Sequence, residues 1–239
     1  KGESGMEDNN STPELDKTTE TATETKKNDK QPKSIGREIF EWAYSIVIAV
    51  LIAFLIKGFL FDIVRVDGSS MYPTLENNDR LIVTKLNYEP KNGDIIILDA
   101  NYKIREAYFD SLAAEKNADE LTGMEKFKER FSLPDECKRI YYVKRIIATE
   151  GQTVDIRGGK VYVDGNELSE EYINGQTFIT DSAVKYPFTV SEGCVFVMGD
   201  NREHSSDSRV AREGEIPREA ILGTSQLRVF PFNAIGKTE

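Results

Sequence analysis

A nearly unbroken apolar run, WAYSIVIAVLIAFLIKGFLF at residues 42–61, constrains most strongly how this chain can fold. Its only charge is Lys57, near the end, where a long side chain reaches the membrane interface. A membrane-spanning helix needs roughly 20 apolar residues, and a buried core helix usually keeps a polar face, which is missing from Ile46 to Ile56. A cleaved signal peptide fits the long hydrophilic lead poorly. We therefore predict an uncleaved transmembrane anchor over residues 35–61.

The residues on either side of this run predict its orientation. Residues 1–34 are mostly Thr, Glu, Lys, Asp and Asn, which bury too little apolar surface to offset the entropy cost of folding, so we predict a disordered tail. Before the run, basic residues cluster at Lys26, Lys27, Lys30, Lys33 and Arg37. After it, Arg65 stands nearly alone. Because basic residues remain on the cytoplasmic side, we expect a cytoplasmic tail and an extracytoplasmic domain over residues 62–239.

Short runs of β-branched and aromatic residues after the anchor predict a mainly β domain. Two segments interrupt the series. Residues 101–139, rich in Ala, Glu, Lys and Leu, predict a helical insertion, and residues 151–194 predict a small β excursion. The core of the domain would then comprise residues 62–150 and 195–239.

Composition and cysteine usage exclude some classes of function. The net charge is -10 and no basic stripe is present, so we expect no nucleic-acid partner. Neither a glycine-rich phosphate loop nor a cluster of metal ligands is found in the sequence. Cys137 and Cys194 would face a compartment that permits disulfides, but sequence does not show that they meet, and two free thiols are the expectation.

Ser70 and Lys144 are the candidate pair for hydrolytic chemistry. A serine hydrolase of the usual triad type needs a histidine base, and this chain has one histidine. A lysine accepts a proton only when it is neutral, and burial lowers its ordinary pKa of roughly 10.4. The apolar neighbours of Lys144 in Tyr141–Ile147 favour such burial.

Four boxes, in order, resemble those of the bacterial type I signal peptidases, and of Gram-positive members in particular. They are Gly68-Ser69-Ser70-Met71-Tyr72-Pro73-Thr74-Leu75, Asn92-Gly93-Asp94-Ile95-Ile96, Tyr142-Val143-Lys144-Arg145-Ile146-Ile147 and Met198-Gly199-Asp200-Asn201-Arg202-Glu203-His204-Ser205-Ser206-Asp207-Ser208-Arg209. The resemblance runs from the anchor to Phe230–Gly236. It implies a signal-peptidase-like β-barrel or β-sandwich domain behind one transmembrane helix. The implied function is a membrane-bound serine endopeptidase that removes signal peptides from exported preproteins.

The same resemblance implies the catalytic roles. Ser70 would be the nucleophile and Lys144 the general base, and Ser205 would orient the lysine ammonium through a hydrogen bond. Gly68 stands where some relatives carry a serine that helps to stabilise the oxyanion. The oxyanion hole would then rest on the Ser70 N–H and on a second donor that the sequence does not identify.

Supporting roles are implied for the remaining box residues. Arg145, Asp207 and Arg209 would form an ion-pair cluster, and Gly199 and Asp200 would shape the adjacent turn. No cofactor and no metal is implied.

The resemblance also implies cleavage after small residues in an Ala-x-Ala pattern, with the substrate as an extended strand. The candidate pocket walls are Val64, Val66, Met71, Leu75, Leu81, Tyr142 and Val143, and ordinary core packing is the alternative for each. Expected partners are preprotein signal peptides and the lipid bilayer, with the secretion machinery as a further candidate. Two apolar segments, Phe59-Leu60-Phe61 and Val229-Phe230-Pro231-Phe232, would hold the site near the bilayer surface.

Four alternatives remain open from the sequence. His204 is the rival base, although the family position for a catalytic histidine corresponds to Lys144. A Ser/Lys autoprotease similar to the SOS-response repressors would be cytoplasmic, which the apolar run disfavours. A peptidase dedicated to one export or pilus system shares the same motifs. A noncatalytic pilin-assembly relative would have lost the lysine.

Overall fold

The computed structural model describes residues 35–55, 60–85, 88–116 and 118–238. The predicted tail at residues 1–34 and residues 56–59 of the predicted anchor lie outside the described residues. Internal contacts divide the chain into residues 1–47 and residues 48–239. The first helix, α1, runs from Ile35 to Leu55. Within the described ranges no helix is both long enough and apolar enough to cross a membrane.

After α1 the described chain is mainly β. The strands of the larger sheet are β1 (Phe61–Arg65), β2 (Arg80–Thr84), β3 (Ile95–Asp99), β4 (Tyr141–Thr149), β9 (Cys194–Met198), β10 (Ile216–Pro217), β11 (Ile221–Phe230) and β12 (Gly236–Lys237). The smaller sheet contains β5 (Thr153–Arg157), β6 (Lys160–Val163), β7 (Asn166–Glu167) and β8 (Phe188–Thr189). The insertion contains the helices α2 (Tyr102–Glu115) and α3 (Gly123–Glu129), and short 3-10 turns lie at Asp135–Cys137, Arg218–Ala220 and Phe232–Ala234.

The strand order of the larger sheet is β1-β2-β11-β3-β4-β9-β10, with β12 paired to β11. The smaller sheet has the order β7-β6-β5-β8. The mainly β class is thereby confirmed, but the described strands of the larger sheet form an open row that does not close into a barrel. Strand β11 comes from near the end of the chain, yet it lies between β2 and β3 and joins the two halves of the sheet.

Residue type explains the main strands. The run Ile95-Ile96-Ile97-Leu98 makes β3 buried along its whole length, as suits a central strand covered on both faces. Tight turns join the short strands of the smaller sheet. Asp164 and Gly165 both have positive φ, 52° and 79°, which is typical of the two-residue hairpin between β6 and β7.

Three apolar clusters form the core of the β domain. One, below the loop that carries Ser70, contains Val66, Met71, Leu75, Leu81, Val83, Ile95 and Ile97. A second contains Ile96, Leu98, Ile146, Val195, Val197, Ile216 and Ala220. The third joins the smaller sheet to the larger one through Ile147, Ala148, Val154, Ile156, Val161, Val163, Val190, Phe196 and Met198.

The predicted helical insertion has its own small core. Phe109 and Ala113 of α2 pack against Leu121. Thr122 precedes α3 in a capping box, in which its hydroxyl accepts a hydrogen bond from the Glu125 N–H.

The two cysteines, Cys137 and Cys194, are both free thiols, as expected.

Candidate active site

Ser70 lies in the loop between β1 and β2, and this loop is closed at its base. The Val66 N–H donates to the Asp79 carbonyl over 2.8 Å. Gly68 has a φ of +108°, a conformation that favours glycine, and its N–H donates to Asn77 Oδ1 over 3.0 Å. The backbone of the loop therefore fixes the position of the serine.

Lys144 lies in the middle of β4, directly opposite Ile96 of β3. It is only 4% exposed. Its ammonium nitrogen donates to Ser70 Oγ over 2.9 Å and lies 5.2 Å from the centroid of the Tyr142 ring. The two side chains that the sequence analysis paired are thus in hydrogen-bond contact, although 74 residues separate them.

Burial lowers the pKa of Lys144 to about 8. The nearby guanidinium of Arg209 also lowers this pKa, whereas Asp207, Glu213 and Asp200 oppose the change. At mildly alkaline pH a large fraction of the amine is therefore neutral and able to accept a proton.

Asp200 connects the lysine strand to the serine loop. Arg145 donates from Nε to Asp200 Oδ1 over 2.9 Å and from Nη2 to Asp200 Oδ2 over 2.8 Å. The Thr74 hydroxyl also donates to this carboxylate. Arg145 was predicted to join a cluster with Asp207 and Arg209, and this is corrected: it forms a separate pair with Asp200.

Asp207 and Arg209 form the second buried pair. Arg209 donates to the Asp207 carboxylate from Nε and from Nη2, each over 2.8 Å, and the Gly199 N–H donates to it over 3.0 Å. Burial tends to raise the pKa of Asp207, but the hydrogen bonds and the charge of Arg209 outweigh this and hold that pKa below its ordinary value. A stable carboxylate thus lies close to Lys144.

The hydrogen bond that was predicted between Ser205 and Lys144 is not present in the structure. The Ser205 Oγ is buried. Its hydroxyl lies near the Asp207 carboxylate instead and helps to lower the pKa of that group. The hydroxyl lies near the backbone of Ser70, because a Cβ placed on Gly199 would overlap both Ser205 Oγ and the Ser70 carbonyl oxygen. Gly199, which has no side chain, therefore allows two chain segments to approach each other here.

Two residues that sequence reasoning missed also hold this region together. Asn201 donates to the carbonyls of Ser69 and Ser70. Arg202 is 1% exposed, and its guanidinium pairs with Glu170 of the β excursion. Asn201 and Arg202 both lie in the last box. A buried arginine requires an acidic partner, but no pattern in the sequence identifies Glu170 as the partner of Arg202.

The predicted pocket walls divide into two groups. Val66, Met71, Leu75 and Leu81 are all buried in the cluster below the serine loop, as expected for core residues. Val64 and Val143 are half-buried at the margin of the same cluster. Tyr142 is half-buried against the neighbouring cluster.

His204, the rival base, is exposed, and its ring contacts the side chain of Asn201. Its Nδ1 is 3.3 Å from Asn201 Oδ1. The nitrogen that contacts the Ser70 hydroxyl belongs to Lys144. Within the described residues, no group of three or more His, Cys, Asp or Glu side chains is placed to hold a metal ion.

Comparisons with known proteins find similar sequences over most of the chain. The family model described as signal peptidase, peptidase S26, matches residues 39–230. Signal peptidase I of Bacillus licheniformis is 36% identical over 226 residues, which cover 91% of this chain and 100% of that protein. Signal peptidase I T of Bacillus subtilis (strain 168) is 35% identical, covering 88% of this chain and 95% of that protein.

Among solved structures, a signal peptidase I from Enterococcus faecalis V583 matches with a TM-score of 0.36 and 24% identity, covering 57% of this chain and 97% of that chain. The family match extends over most of the chain, and the Bacillus relatives are matched over nearly their whole length. The chain therefore belongs to the signal peptidase family, peptidase S26.

Proposed function

We propose that this protein is a type I signal peptidase, an endopeptidase that removes N-terminal signal peptides from exported preproteins. Family membership and the names of its Bacillus relatives support the reaction and the substrate class. The observation that carries the chemistry is the 2.9 Å hydrogen bond between Lys144 Nζ and Ser70 Oγ in a buried site.

In the proposed mechanism Ser70 Oγ attacks the carbonyl carbon of the scissile peptide, while the neutral amine of Lys144 takes the hydroxyl proton. The carbonyl oxygen becomes an oxyanion. As the tetrahedral intermediate collapses, Lys144 returns the proton to the leaving amine and an acyl-enzyme remains. A water molecule, activated by the same amine, then hydrolyses the ester and restores Ser70.

The buried ion pairs would support this chemistry without taking part in it. Asp207, held as a carboxylate by Arg209, stabilises the ammonium that forms on Lys144 when it accepts the proton. The pair of Arg145 and Asp200 holds the lysine strand against the serine loop. Ser205 Oγ would accept a hydrogen bond from that ammonium after a rotation about its χ1 angle.

We propose that half-buried Val64, Tyr142 and Val143 contribute to the shallow pockets that accept the small residues of an Ala-x-Ala sequence. The fully buried Met71 and Leu75 would set the depth of the pockets from below. We separate the half-buried from the fully buried residues in this way because a side chain without accessible surface cannot contact a substrate directly.

We also propose that residues 35–61 anchor the protein in the membrane with residues 62–239 on the extracytoplasmic side. The described side chains on α1 support this. They are mostly apolar and exposed, as Ile46, Val50 and Leu51 illustrate, and exposed apolar helix surface is stable in lipid. Phe230 and Phe232 would touch the bilayer surface.

Cleavage of a preprotein that carries an Ala-x-Ala site, in detergent or lipid, tests the proposal. Wild type is compared with Ser70→Ala, Lys144→Ala and Lys144→Arg, and the cut is located by mass. We expect wild-type cleavage after the second alanine and loss of cleavage in all three variants. The arginine variant keeps the positive charge but cannot become neutral, so it separates the role of a base from that of a charge.

Two other results would overturn the proposal. A folded wild type that cuts no such substrate would favour a dedicated peptidase or a noncatalytic assembly factor. Cleavage that survives in Lys144→Ala but is lost in His204→Ala would transfer the base to the histidine.

A further inference from the structure

Asn201 forms a two-point clamp on the backbone of the nucleophile. Its side-chain Nδ2 donates to the Ser69 carbonyl over 3.0 Å, and its backbone N–H donates to the Ser70 carbonyl over 3.0 Å. One residue of the last box thus holds two successive carbonyls of the serine loop. Asn201 is 6% exposed, so water competes weakly for these bonds.

The first of these bonds controls the direction of the Ser70 N–H. The Ser69 carbonyl and the Ser70 N–H belong to one peptide unit, which is planar and trans. In a trans unit the two groups point in opposite directions, so a donor that fixes the carbonyl also fixes the N–H. The Tyr72 N–H donates to the same oxygen over 3.1 Å, which gives the carbonyl two donors.

The Ser70 N–H itself donates no hydrogen bond within the described residues. It is therefore free to bind the oxygen of a substrate. Each donor on the Ser69 carbonyl also polarises the peptide unit, which strengthens the N–H as a donor. A preoriented donor needs no rearrangement when negative charge develops, and this makes such donors effective in catalysis.

We propose that Asn201 is a positioning residue for the oxyanion hole: its carboxamide, by holding the Ser69 carbonyl, aims the Ser70 N–H at the oxyanion of the tetrahedral intermediate. This inference rests on the proposed function. It also addresses Gly68, which offers no hydroxyl to the oxyanion. With only one donor assigned, the orientation of that donor becomes more important.

Asn201→Ala and Asn201→Asp test the proposal in full-length protein in detergent, with an Ala-x-Ala peptide as substrate. Both variants lose the Nδ2 donor and keep the backbone bond to Ser70, and the aspartate variant preserves side-chain size. We expect kcat to fall about 10- to 100-fold with KM changed less than about 2-fold, because the lost interaction strengthens only in the transition state. In Asn201→Ala, which adds no charge, the apparent pKa of the pH–rate profile should remain that of wild type.

A peptide aldehyde, which forms a hemiacetal with the Ser70 hydroxyl, supplies a second readout. Its affinity should weaken in parallel with kcat/KM, while the affinity of the cleaved signal-peptide product should stay unchanged. Ser206→Ala is the matched control, since Ser206 lies in the same box but is exposed and contacts Glu213 on the surface. This variant should keep wild-type kcat.

The outcomes separate the two proposals. If wild type does not cut the peptide, the proposed function fails. If wild type cuts and both variants retain wild-type kcat and aldehyde affinity, the positioning role is excluded. A loss of kcat accompanied by an equal loss of product affinity or by a lower unfolding midpoint indicates a structural role only, and it also overturns the proposal.

Discussion

Arg145 and Asp200 form a bidentate ion pair that is almost completely buried, with the side chains 4% and 0% exposed. Because the Thr74 hydroxyl also donates to Asp200, the pair joins the strand of Lys144 to the loop of Ser70. Removing one partner of such a pair leaves the other charge buried without compensation, which typically costs about 3–5 kcal/mol.

The first prediction concerns this pair. Asp200→Asn should lower the unfolding free energy by roughly 3 kcal/mol or more, measured by urea denaturation in detergent. Asp135→Asn is the matched control, since Asp135 contacts Lys138 on the surface, and it should cause no measurable change. Equal effects of the two substitutions would contradict a stabilising role for the buried pair.

The second prediction is the pH dependence of cleavage. The base must be neutral, and burial places the pKa of Lys144 at about 8. We therefore expect kcat/KM to rise about tenfold per pH unit below pH 8 and to level off above it. His204→Ala should leave this profile unchanged. A wild-type limb that disappears in His204→Ala would assign the titration to the histidine instead.

The third prediction concerns stability and pH. In the unfolded chain the pKa of Lys144 returns to about 10.5, so between pH 8 and pH 10.5 the unfolded state binds more protons than the folded state. The free energy of unfolding should therefore rise with pH over this window. Below pH 8 both states are charged, and the folded state carries the full cost of burial, up to about 3 kcal/mol.

Lys144→Met removes this titration. We expect the variant to be more stable than wild type at pH 7 and the difference to shrink between pH 8 and pH 10.5, measured by denaturation at each pH. Lys138→Met, at an exposed position, is the control and should show no such trend. A stability difference that is constant with pH would show that burial does not lower the pKa of Lys144.

The fourth prediction concerns close packing at Gly199. A methyl group there overlaps Ser205 Oγ and the Ser70 carbonyl, so Gly199→Ala must displace the nucleophile. We expect kcat to fall by about 100-fold or more, since small displacements of a catalytic group have effects of this size. Gly123→Ala is the control, because a Cβ at Gly123 has open space around it. A fully active Gly199→Ala would contradict the geometry.

The fifth prediction concerns the bilayer. Phe232 is 79% exposed and packs edge-on against Phe230, at 5.6 Å between ring centroids. Replacing both by serine should impair cleavage of a membrane-bound preprotein more than cleavage of a soluble peptide. Phe131→Ser in the insertion, also at a highly exposed position, should affect neither. Equal losses on both substrates would exclude membrane contact by this pair.

The mainly β class was predictable from the sequence, because short runs of β-branched and aromatic residues indicate strands. The pairing of Ser70 with Lys144 was predictable because each of the two residues lies in a short box that resembles a family motif. The partner of Arg145 was not predictable. Asp200 and Asp207 lie in the same box, and only the register of β4 against β9, with Arg145 opposite Met198, brings Asp200 rather than Asp207 to the guanidinium.

Other parts of the site depend on contacts between distant loops. Asn201 contacts backbone carbonyls, and Glu170 and Arg202 meet from two loops that are 32 residues apart in the chain, so neither contact leaves a periodic signal in the sequence. The insertion of β11 between β2 and β3 is equally hidden, since an apolar run indicates a strand but does not identify its neighbours.

The place of β11 has a consequence for the newly made protein. The serine loop belongs to the β1–β2 hairpin and the lysine to the β3–β4 pair, and these two halves are joined edge to edge by a strand that is synthesised near the end. A chain emerging from the ribosome in order therefore contains both Ser70 and Lys144 long before it contains the strand that joins their two halves of the sheet. Under the proposed function we therefore expect proteolytic activity to arise only after Ile221–Phe230 has been made, and a chain truncated before this strand to be inactive.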